Sequence, residues 1–226
     1  MRATETPTRR AEFTTLRVAD VQRLCDDAVA VTFDVPEELA ADYAFLPGQS
    51  LTVRRRVDGC EERRSYSICA PAGSPPRIGV REVPDGLFSA WLVREVRPGT
   101  EIEVSTPTGS FTPGRKWSGH HVLVAAGSGI TPVLSIVSSV LRKEGTTATV
   151  LYGNRRADTV MFADELAELK DRYLARLELV HVLSREAREV ELFTGRLDAA
   201  KLSALLDRMP PARTVSQWWL CGPFGM

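Results

Sequence analysis

The stretch His121-Val-Leu-Val-Ala-Ala-Gly127-Ser-Gly-Ile-Thr-Pro132 decides the fold of the second half of this chain. It begins with an apolar run of the length of a buried strand, and the residues after Pro132 carry apolar side chains at helical spacing. A glycine turn at this point lets the backbone approach the phosphates of a dinucleotide, and the first helical N–H groups are free to bind them. Pro132 fits the first helical turn, where an N–H would have no partner. The same turn also occurs in α/β proteins for packing alone.

The rest of the second half alternates strands with helices. This alternation is typical of a parallel sheet with right-handed crossovers. We therefore predict a Rossmann-like α/β domain over residues 113–226. The chain stops shortly after its last predicted strand, where another helix would be expected, so we predict that this domain is C-terminally incomplete. The predicted strands are 121–126, 147–152, 177–183 and 216–221, and the predicted helices are 132–143, 162–173 and 198–207.

The first half is rich in short β-branched runs that are separated by turn residues. Val29, Val31, Phe33 and Val35 alternate with less apolar residues, which is the pattern of a half-buried strand. Several short antiparallel strands of this kind predict a small barrel, which we assign to residues 13–112. The Pro- and Gly-rich segment 107–114 marks the boundary between the two domains. The predicted strands are 13–24, 28–35, 50–57, 63–69 and 77–83, with one helix at about 87–95.

Composition limits the classes of partner. The formal net charge of +0 gives a nucleic-acid partner little electrostatic support. No apolar run approaches the roughly 20 residues that span a bilayer, so we expect no membrane segment. Residues 1–12 are rich in Thr and Arg and lack the apolar centre of a secretion signal, and we predict a disordered tail there.

The four cysteines and three histidines predict no metal site. The spacing of Cys25, Cys60, Cys69 and Cys221 matches neither a zinc site nor an iron–sulfur loop. Four cysteines are also too few for a disulfide scaffold in a chain of 226 residues. Reduced thiols in the cytoplasm are the simplest interpretation.

Four short motifs follow one another along the chain. They are Arg64-Ser-Tyr66-Ser67, Gly86-Leu-Phe88-Ser89, Gly127-Ser128-Gly129-Ile-Thr131-Pro, and Cys221-Gly222-Pro223. Each has a plainer interpretation when taken alone: a core tyrosine beside an ion-paired arginine, an ordinary helix cap, a packing turn, and a buried cysteine that acts as a small apolar residue. In this order, over nearly the whole chain, the set resembles the ferredoxin–NADP reductase family.

That resemblance implies an FAD site in the barrel. Tyr66 would stack on the isoalloxazine ring, Ser67 would lie near flavin N5, and Arg64 would bind the pyrophosphate of FAD. The turn Gly86-Leu-Phe88-Ser89 would hold the same pyrophosphate at a helix N-terminus. The strand that contains Val80 and Arg81 would contact the flavin through its backbone.

The resemblance also implies a nicotinamide coenzyme in the second domain. Gly127, Ser128, Gly129 and Thr131 would face the coenzyme, and Cys221, with Gly222 and Pro223, would lie beside the nicotinamide ring. Asn154-Arg155 and Ser184-Arg185 stand at strand ends where NAD binders usually carry an acidic residue. Arginine and serine suit a 2′-phosphate, so we expect NADPH, with NADH as the alternative. These arginines could also be solvated loop residues.

Within the family, three stretches resemble the reductase subunits of phenylacetyl-CoA epoxidase systems: 26–36, 63–71 and 219–226. This implies hydride transfer from NADPH to FAD, followed by electron delivery through an iron–sulfur centre to an oxygenase in phenylacetate degradation. Such reductases carry a C-terminal [2Fe–2S] domain whose Cys ligand pattern is absent from this sequence, so we expect a truncated chain. The alternatives are a reductase component of a steroid or aromatic-ring hydroxylase, and a flavin-binding remnant without activity.

Overall fold

The computed structural model describes residues 12–57, 59–113, 117–209, 212–223 and 226. An antiparallel sheet domain is followed by a parallel-sheet domain, and this confirms the predicted fold class. The predicted N-terminal tail lies outside the described residues apart from Glu12.

The first domain is a six-stranded antiparallel sheet in the order β4-β3-β6-β1-β2-β5. Its two edge strands approach each other through an isolated antiparallel bridge between Ile68 and Ile78, which closes the sheet at one end. Strand β6 has no counterpart in the sequence prediction, and β4 begins at Cys60 rather than at the predicted position 63. The elements are β1 Phe13–Cys25, β2 Ala28–Asp34, β3 Ser50–Val57, β4 Cys60–Ser67, β5 Arg77–Arg81, α1 Leu87–Arg94 and β6 Glu101–Ser105.

The second domain is a four-stranded parallel sheet in the order β10-β7-β8-β9. Every strand and helix predicted in this half is present, with small shifts at the ends; the first helix begins at Ile130, two residues before its predicted start. The strands are β7 His120–Ala126, β8 Thr147–Asn154, β9 Leu177–Leu183 and β10 Val215–Cys221, and the helices are α2 Ile130–Val140, α3 Ala163–Arg172 and α4 Ala199–Leu206.

Helix α2 joins the two domains. Every one of its residues except Ser138 is buried, because one side packs on the parallel sheet and the other on the barrel. A single apolar cluster therefore contains Ala28 and Ala30 of the barrel together with Leu123 and Ile136 of the second domain. This shared core fixes the position of the glycine turn before α2 relative to the barrel strands.

Two further contacts hold β5 against the second domain. Gly79 has no side chain where Thr131 and Phe162 approach: a Cβ there would lie 2.5 Å from Thr131 Cγ2 and 2.9 Å from Phe162 Cζ. Arg77 donates to both carboxylate oxygens of Glu165, with Nη1 at 2.9 Å from Oε2. Glycine in a strand often marks such a close approach of another segment. Across the described ranges, no helix combines the length and the apolar character that a bilayer crossing requires.

Candidate functional site

Tyr66 and Ser67 lie at the end of β4, where the barrel opens. The bridge between Ile68 and Ile78 is the last pairing between the two edges, since β4 and β5 are not paired as strands. Counting back from this bridge in antiparallel register brings Ser67 level with Gly79 and Tyr66 level with Val80. Backbone groups of the two edges therefore face each other across a gap next to the second domain.

The ring of Tyr66 is half-buried and is supported from one side. Its centroid lies 6.4 Å from that of Phe88 on α1, with an interplanar angle of 36°. Phe88 is held in turn by Trp91 at 5.6 Å, and the Arg55 guanidinium stacks 4.7 Å from the Trp91 ring. Burial raises the pKa of Tyr66 to about 12, so its hydroxyl stays protonated and can donate a hydrogen bond at neutral pH.

Arg64 differs from three other arginines of β3 and β4 in having no carboxylate partner among the described residues. Arg54 binds Glu103 at 3.1 Å, Arg55 pairs with Glu62 at 3.4 Å, and Arg63 pairs with Glu61 at 2.6 Å. Arg64 is exposed and donates only to the backbone carbonyl of Arg63, at 2.7 Å. Within the described residues it forms no ion pair, which differs from the plainer role considered for it above.

The turn before α1 is built around Gly86. A Cβ on Gly86 would lie 2.8 Å from Ser89 Oγ, so the turn needs glycine. The Ser89 hydroxyl accepts from the Val83 N–H at 3.0 Å and donates to the Gly86 carbonyl at 3.0 Å. Ser89 is thus used to shape the turn. The helix N-terminus that follows offers N–H groups to an anion.

Strand β5 presents its two predicted residues differently. Val80 is fully buried in the barrel core, so only its backbone can reach a cofactor. The Arg81 side chain crosses to the second domain, where Nη2 donates to the Thr159 carbonyl, while Nε lies 3.2 Å from Asp27 Oδ1. Its Nη1 faces Gly127, at 3.8 Å from where a Cβ on that residue would be. The sequence predicts only a backbone contact of Arg81 with the flavin, and it does not indicate this side-chain contact with the second domain.

The glycine turn before α2 needs both of its glycines. Gly127 has φ +55°, in the left-handed region. A Cβ on Gly129 would lie 2.0 Å from the Cys221 carbonyl oxygen, so Gly129 lets the turn pack directly on the end of β10. Ser128 is exposed, whereas Thr131 is buried and its hydroxyl donates to the Ser128 carbonyl at 2.9 Å.

Cys221 ends β10 beside this turn. It is half-buried, and burial raises the pKa of its thiol, so the sulfur is neutral at physiological pH. Gly222 and Pro223 follow it on the surface. A neutral, partly covered thiol can pack against a planar ring but is a poor nucleophile.

The ends of β8 and β9 bring two arginines side by side. The Ser184 N–H donates to the Asn154 carbonyl at 2.9 Å, and the Arg185 N–H donates to the Arg155 carbonyl at 2.8 Å. Both arginines are exposed, and neither forms an ion pair within the described residues, whereas neighbouring Arg156 pairs with Asp158 at 3.2 Å. Asn154 is 7% exposed, and both polar atoms of its amide are buried without a hydrogen-bond partner among the residues that the structure describes.

Sequence reasoning missed two residues of this region. Tyr152 on β8 donates its hydroxyl to the Gly127 carbonyl at 3.0 Å. Gly79 contacts Thr131 from the barrel side and lies level with Ser67, so it joins the two halves of the site. A glycine inside an apolar strand was the available signal for Gly79, whereas nothing in the local sequence marks Tyr152.

The residues present fit two nucleotide cofactors. On the barrel side there is an unpaired arginine, a supported aromatic ring and a helix N-terminus; on the other side there is a glycine turn in the left-handed conformation that is open at Ser128. Within the described ranges, no group of three or more His, Cys, Asp or Glu side chains is arranged to hold a metal ion.

Comparison with known proteins agrees with this geometry. Residues 15–112 match the oxidoreductase FAD-binding domain family, and residues 123–226 match the oxidoreductase NAD-binding domain family. A component of the 1,2-phenylacetyl-CoA epoxidase of Escherichia coli K12 is 38% identical over 218 residues, which cover 95% of this chain and 61% of that protein. The ferredoxin reductase component of 3-ketosteroid-9-alpha-monooxygenase from Rhodococcus rhodochrous is 38% identical over 174 residues, which cover 74% of this chain and 48% of that protein.

The chain thus spans about half to three-fifths of the length of these two relatives. The fold is that of a ferredoxin NADP+ reductase from Neisseria gonorrhoeae, solved with bound FAD and NADP: the TM-score is 0.78 at 22% identity, over 95% of this chain and 87% of that chain. The chain therefore combines an oxidoreductase FAD-binding domain with an oxidoreductase NAD-binding domain, in the fold of the ferredoxin reductases.

Proposed function

We propose that this chain is the flavin- and NADPH-binding part of a reductase that supplies electrons, through an iron–sulfur centre, to an oxygenase. The observation that carries the proposal is the contact between the two domains at Gly79. This residue lies level with Ser67 on the barrel side and contacts Thr131 on the coenzyme side. Two planar rings bound to the two halves would therefore meet in one cleft.

The residues of this chain bind, orient and shield. Arg64 and the turn at Gly86 hold the FAD pyrophosphate, Tyr66 supports the flavin ring, and Ser67 donates near flavin N5. Cys221 packs beside the nicotinamide. When bound, the two cofactors would supply the redox chemistry, which is hydride transfer from nicotinamide to flavin followed by release of single electrons. No acid–base pair is required of the protein.

NADPH is the coenzyme that we propose. The exposed, unpaired guanidinium groups of Arg155 and Arg185 at adjoining strand ends support this choice, since a 2′-phosphate is a dianion that arginine binds strongly. Arg185→Asp should reverse the preference: kcat/KM for NADPH falls at least tenfold while kcat/KM for NADH changes little. An unchanged NADPH preference would contradict the assignment of the 2′-phosphate site.

The oxygenase is proposed from the relatives. The E. coli relative belongs to a 1,2-phenylacetyl-CoA epoxidase, and this supports a role in phenylacetate degradation. The Rhodococcus relative supports a steroid monooxygenase as the second candidate. We further propose domain limits at 13–112 and 113–226, and a cytoplasmic location, which the free thiols of all four cysteines support.

Turnover with an artificial acceptor tests the function. The FAD-loaded protein should oxidise NADPH continuously when ferricyanide is supplied as electron acceptor. A protein that binds FAD but does not oxidise NADPH would instead be the inactive flavin-binding remnant. Adding purified epoxidase or steroid monooxygenase components, each with its own iron–sulfur protein, separates the two partner candidates by substrate oxidation.

A further inference from the structure

One buried tyrosine on the parallel sheet contacts the glycine turn before α2, and the functions assigned above do not use it. Tyr152 lies on β8, between β7 and β9 in the interior of the parallel sheet, and it is fully buried. Its backbone neighbours are Ala125 on β7 and His181 on β9, and its ring lies 5.8 Å from the His181 ring. The ring therefore has little freedom to move, and its hydroxyl is held at a fixed height above the sheet.

That hydroxyl meets the turn at its most constrained residue. It donates to the Gly127 carbonyl at 3.0 Å, and Gly127 is the residue with φ +55°. The same carbonyl also accepts from the Ile130 N–H, which begins α2. Two donors fix the Gly127 carbonyl inward, so the Gly127–Ser128 peptide has a single orientation. Because the peptide is trans, the N–H of exposed Ser128 lies on the side opposite to that carbonyl.

The hydrogen bond is present over the whole physiological pH range. Burial raises the pKa of Tyr152 well above its ordinary value, although nearby Arg81 opposes this effect, so the hydroxyl keeps its proton. A buried carbonyl that loses such a donor suffers a desolvation cost and is free to reorient.

We propose that Tyr152 is a positioning residue for the coenzyme pyrophosphate: its hydroxyl orients the Gly127–Ser128 peptide so that the turn presents N–H donors to the phosphates. The proposal rests on the NADPH site proposed above. Tyr152 would affect the coenzyme through the peptide that it orients, without touching the coenzyme itself. The proposal predicts that loss of the hydroxyl weakens the binding of a ligand that contains the pyrophosphate and does not change the binding of a ligand that contains only the adenosine end.

The chain offers a matched control. Tyr43 in the barrel is 3% exposed and donates its hydroxyl to the Val104 carbonyl at 2.8 Å, so it makes the same kind of buried bond far from the coenzyme turn. Tyr152→Phe and Tyr43→Phe each remove one such bond and keep the ring. A purely structural role predicts the same outcome for both variants.

The test is calorimetric titration of the FAD-loaded protein with NADP+ and, separately, with adenosine 2′-monophosphate, which has no 5′-phosphate. For Tyr152→Phe we expect roughly fivefold to tenfold weaker NADP+ binding, with adenosine 2′-monophosphate and FAD binding unchanged. For Tyr43→Phe we expect wild-type affinity for both ligands.

Three results would overturn the proposal: unchanged NADP+ affinity in Tyr152→Phe, an equal loss of affinity for both ligands, or a Tyr152→Phe variant that no longer folds, since the last would assign the hydroxyl to stability alone. If the wild-type protein binds neither ligand, the proposed NADPH site itself is wrong. The two failures are therefore distinguishable.

Discussion

Arg63 and Arg64 are adjacent on β4 but have different surroundings. The Arg63 guanidinium pairs with Glu61 and lies 5.0 Å from the Phe13 ring, whereas Arg64 has no carboxylate partner within the described residues. An unpaired arginine beside the mouth of the barrel can give its full charge to a phosphate, and a paired arginine cannot. At the residue scale, this difference supports the phosphate-binding role that we propose for Arg64 and not for Arg63.

We expect Arg64→Ala to weaken FAD binding by roughly tenfold to a hundredfold, because a hydrogen bond to a charged group is lost. Arg63→Ala is the control and should change the FAD dissociation constant less than about threefold. Quenching of flavin fluorescence on binding measures both constants. Equal effects of the two substitutions on the FAD dissociation constant would contradict a role of Arg64 in FAD binding and would leave it as a surface cation.

Sequence reasoning reached these residues through motifs and not through their contacts. Arg64, Tyr66 and the glycine turn stand in recognisable local patterns, so they could be named from one sequence. Tyr152 could not, because its hydroxyl acts on a carbonyl 25 residues away, and only the pairing of β7 with β8 brings the two together. The Arg81 side chain likewise extends from β5 to the Thr159 carbonyl of the other domain, which no local pattern indicates.

Helix α2 is the element that connects the glycine turn of the second domain to the barrel. The Ser135 hydroxyl donates to the Ala70 carbonyl at 2.6 Å and accepts from the Gly48 N–H at 3.4 Å, and both partners belong to the barrel. Ser138, on the same helix, bonds only to carbonyls of its own helix. The polar contacts that this helix makes with the barrel through Ser135 thus differ from those of Ser138, which stay within the helix.

Ser135→Ala should lower the free energy of unfolding by about 1–3 kcal/mol, because it leaves two buried backbone groups without partners. Ser138→Ala should change it by less than about 0.5 kcal/mol. Urea unfolding followed by circular dichroism measures both values. If the two variants lost equal stability, the interdomain role of Ser135 would be wrong.

The elements themselves were largely predictable from hydrophobic period. Strand β6 is the exception: it has only two buried apolar side chains, Ile102 and Val104, between polar residues, and this alternation is too short to stand out. Its place in the interior of the sheet comes from backbone pairing with β1 and β3, and its polar residue Glu103 pairs with Arg54 of β3. Such pairing between strands that are distant in sequence belongs to tertiary structure, and the local sequence pattern does not predict it.

At the scale of the whole molecule, buried titratable groups predict how stability depends on pH. Burial lowers the pKa of His120, His121 and His181, and it raises that of Cys69 to about 12. Below about pH 6.5 the unfolded chain binds protons that the folded histidines do not, so stability falls on acidification. Above about pH 8.5 the unfolded thiol loses a proton that folded Cys69 keeps, so stability falls again.

We therefore expect the free energy of unfolding to be highest between about pH 7 and pH 8.5. His121→Gln should reduce the acid slope, by at most about 1.4 kcal/mol per pH unit for one proton. Cys69→Ala is the corresponding variant for the alkaline side. Urea titrations at several pH values supply the curve, and a stability that does not change between about pH 7.5 and about pH 5.5 would contradict this account of the histidines.

We propose that the two domains hold FAD and a nicotinamide coenzyme in ring-to-ring contact across the cleft at Gly79. Anaerobic addition of NADPH to the FAD-reconstituted protein, followed in the visible spectrum, measures whether the two rings react. We predict stoichiometric FAD uptake and loss of the oxidised flavin absorbance on addition of one equivalent of NADPH. A protein that takes up no FAD from an excess, or whose bound flavin stays oxidised with NADPH and with NADH, would contradict the claim.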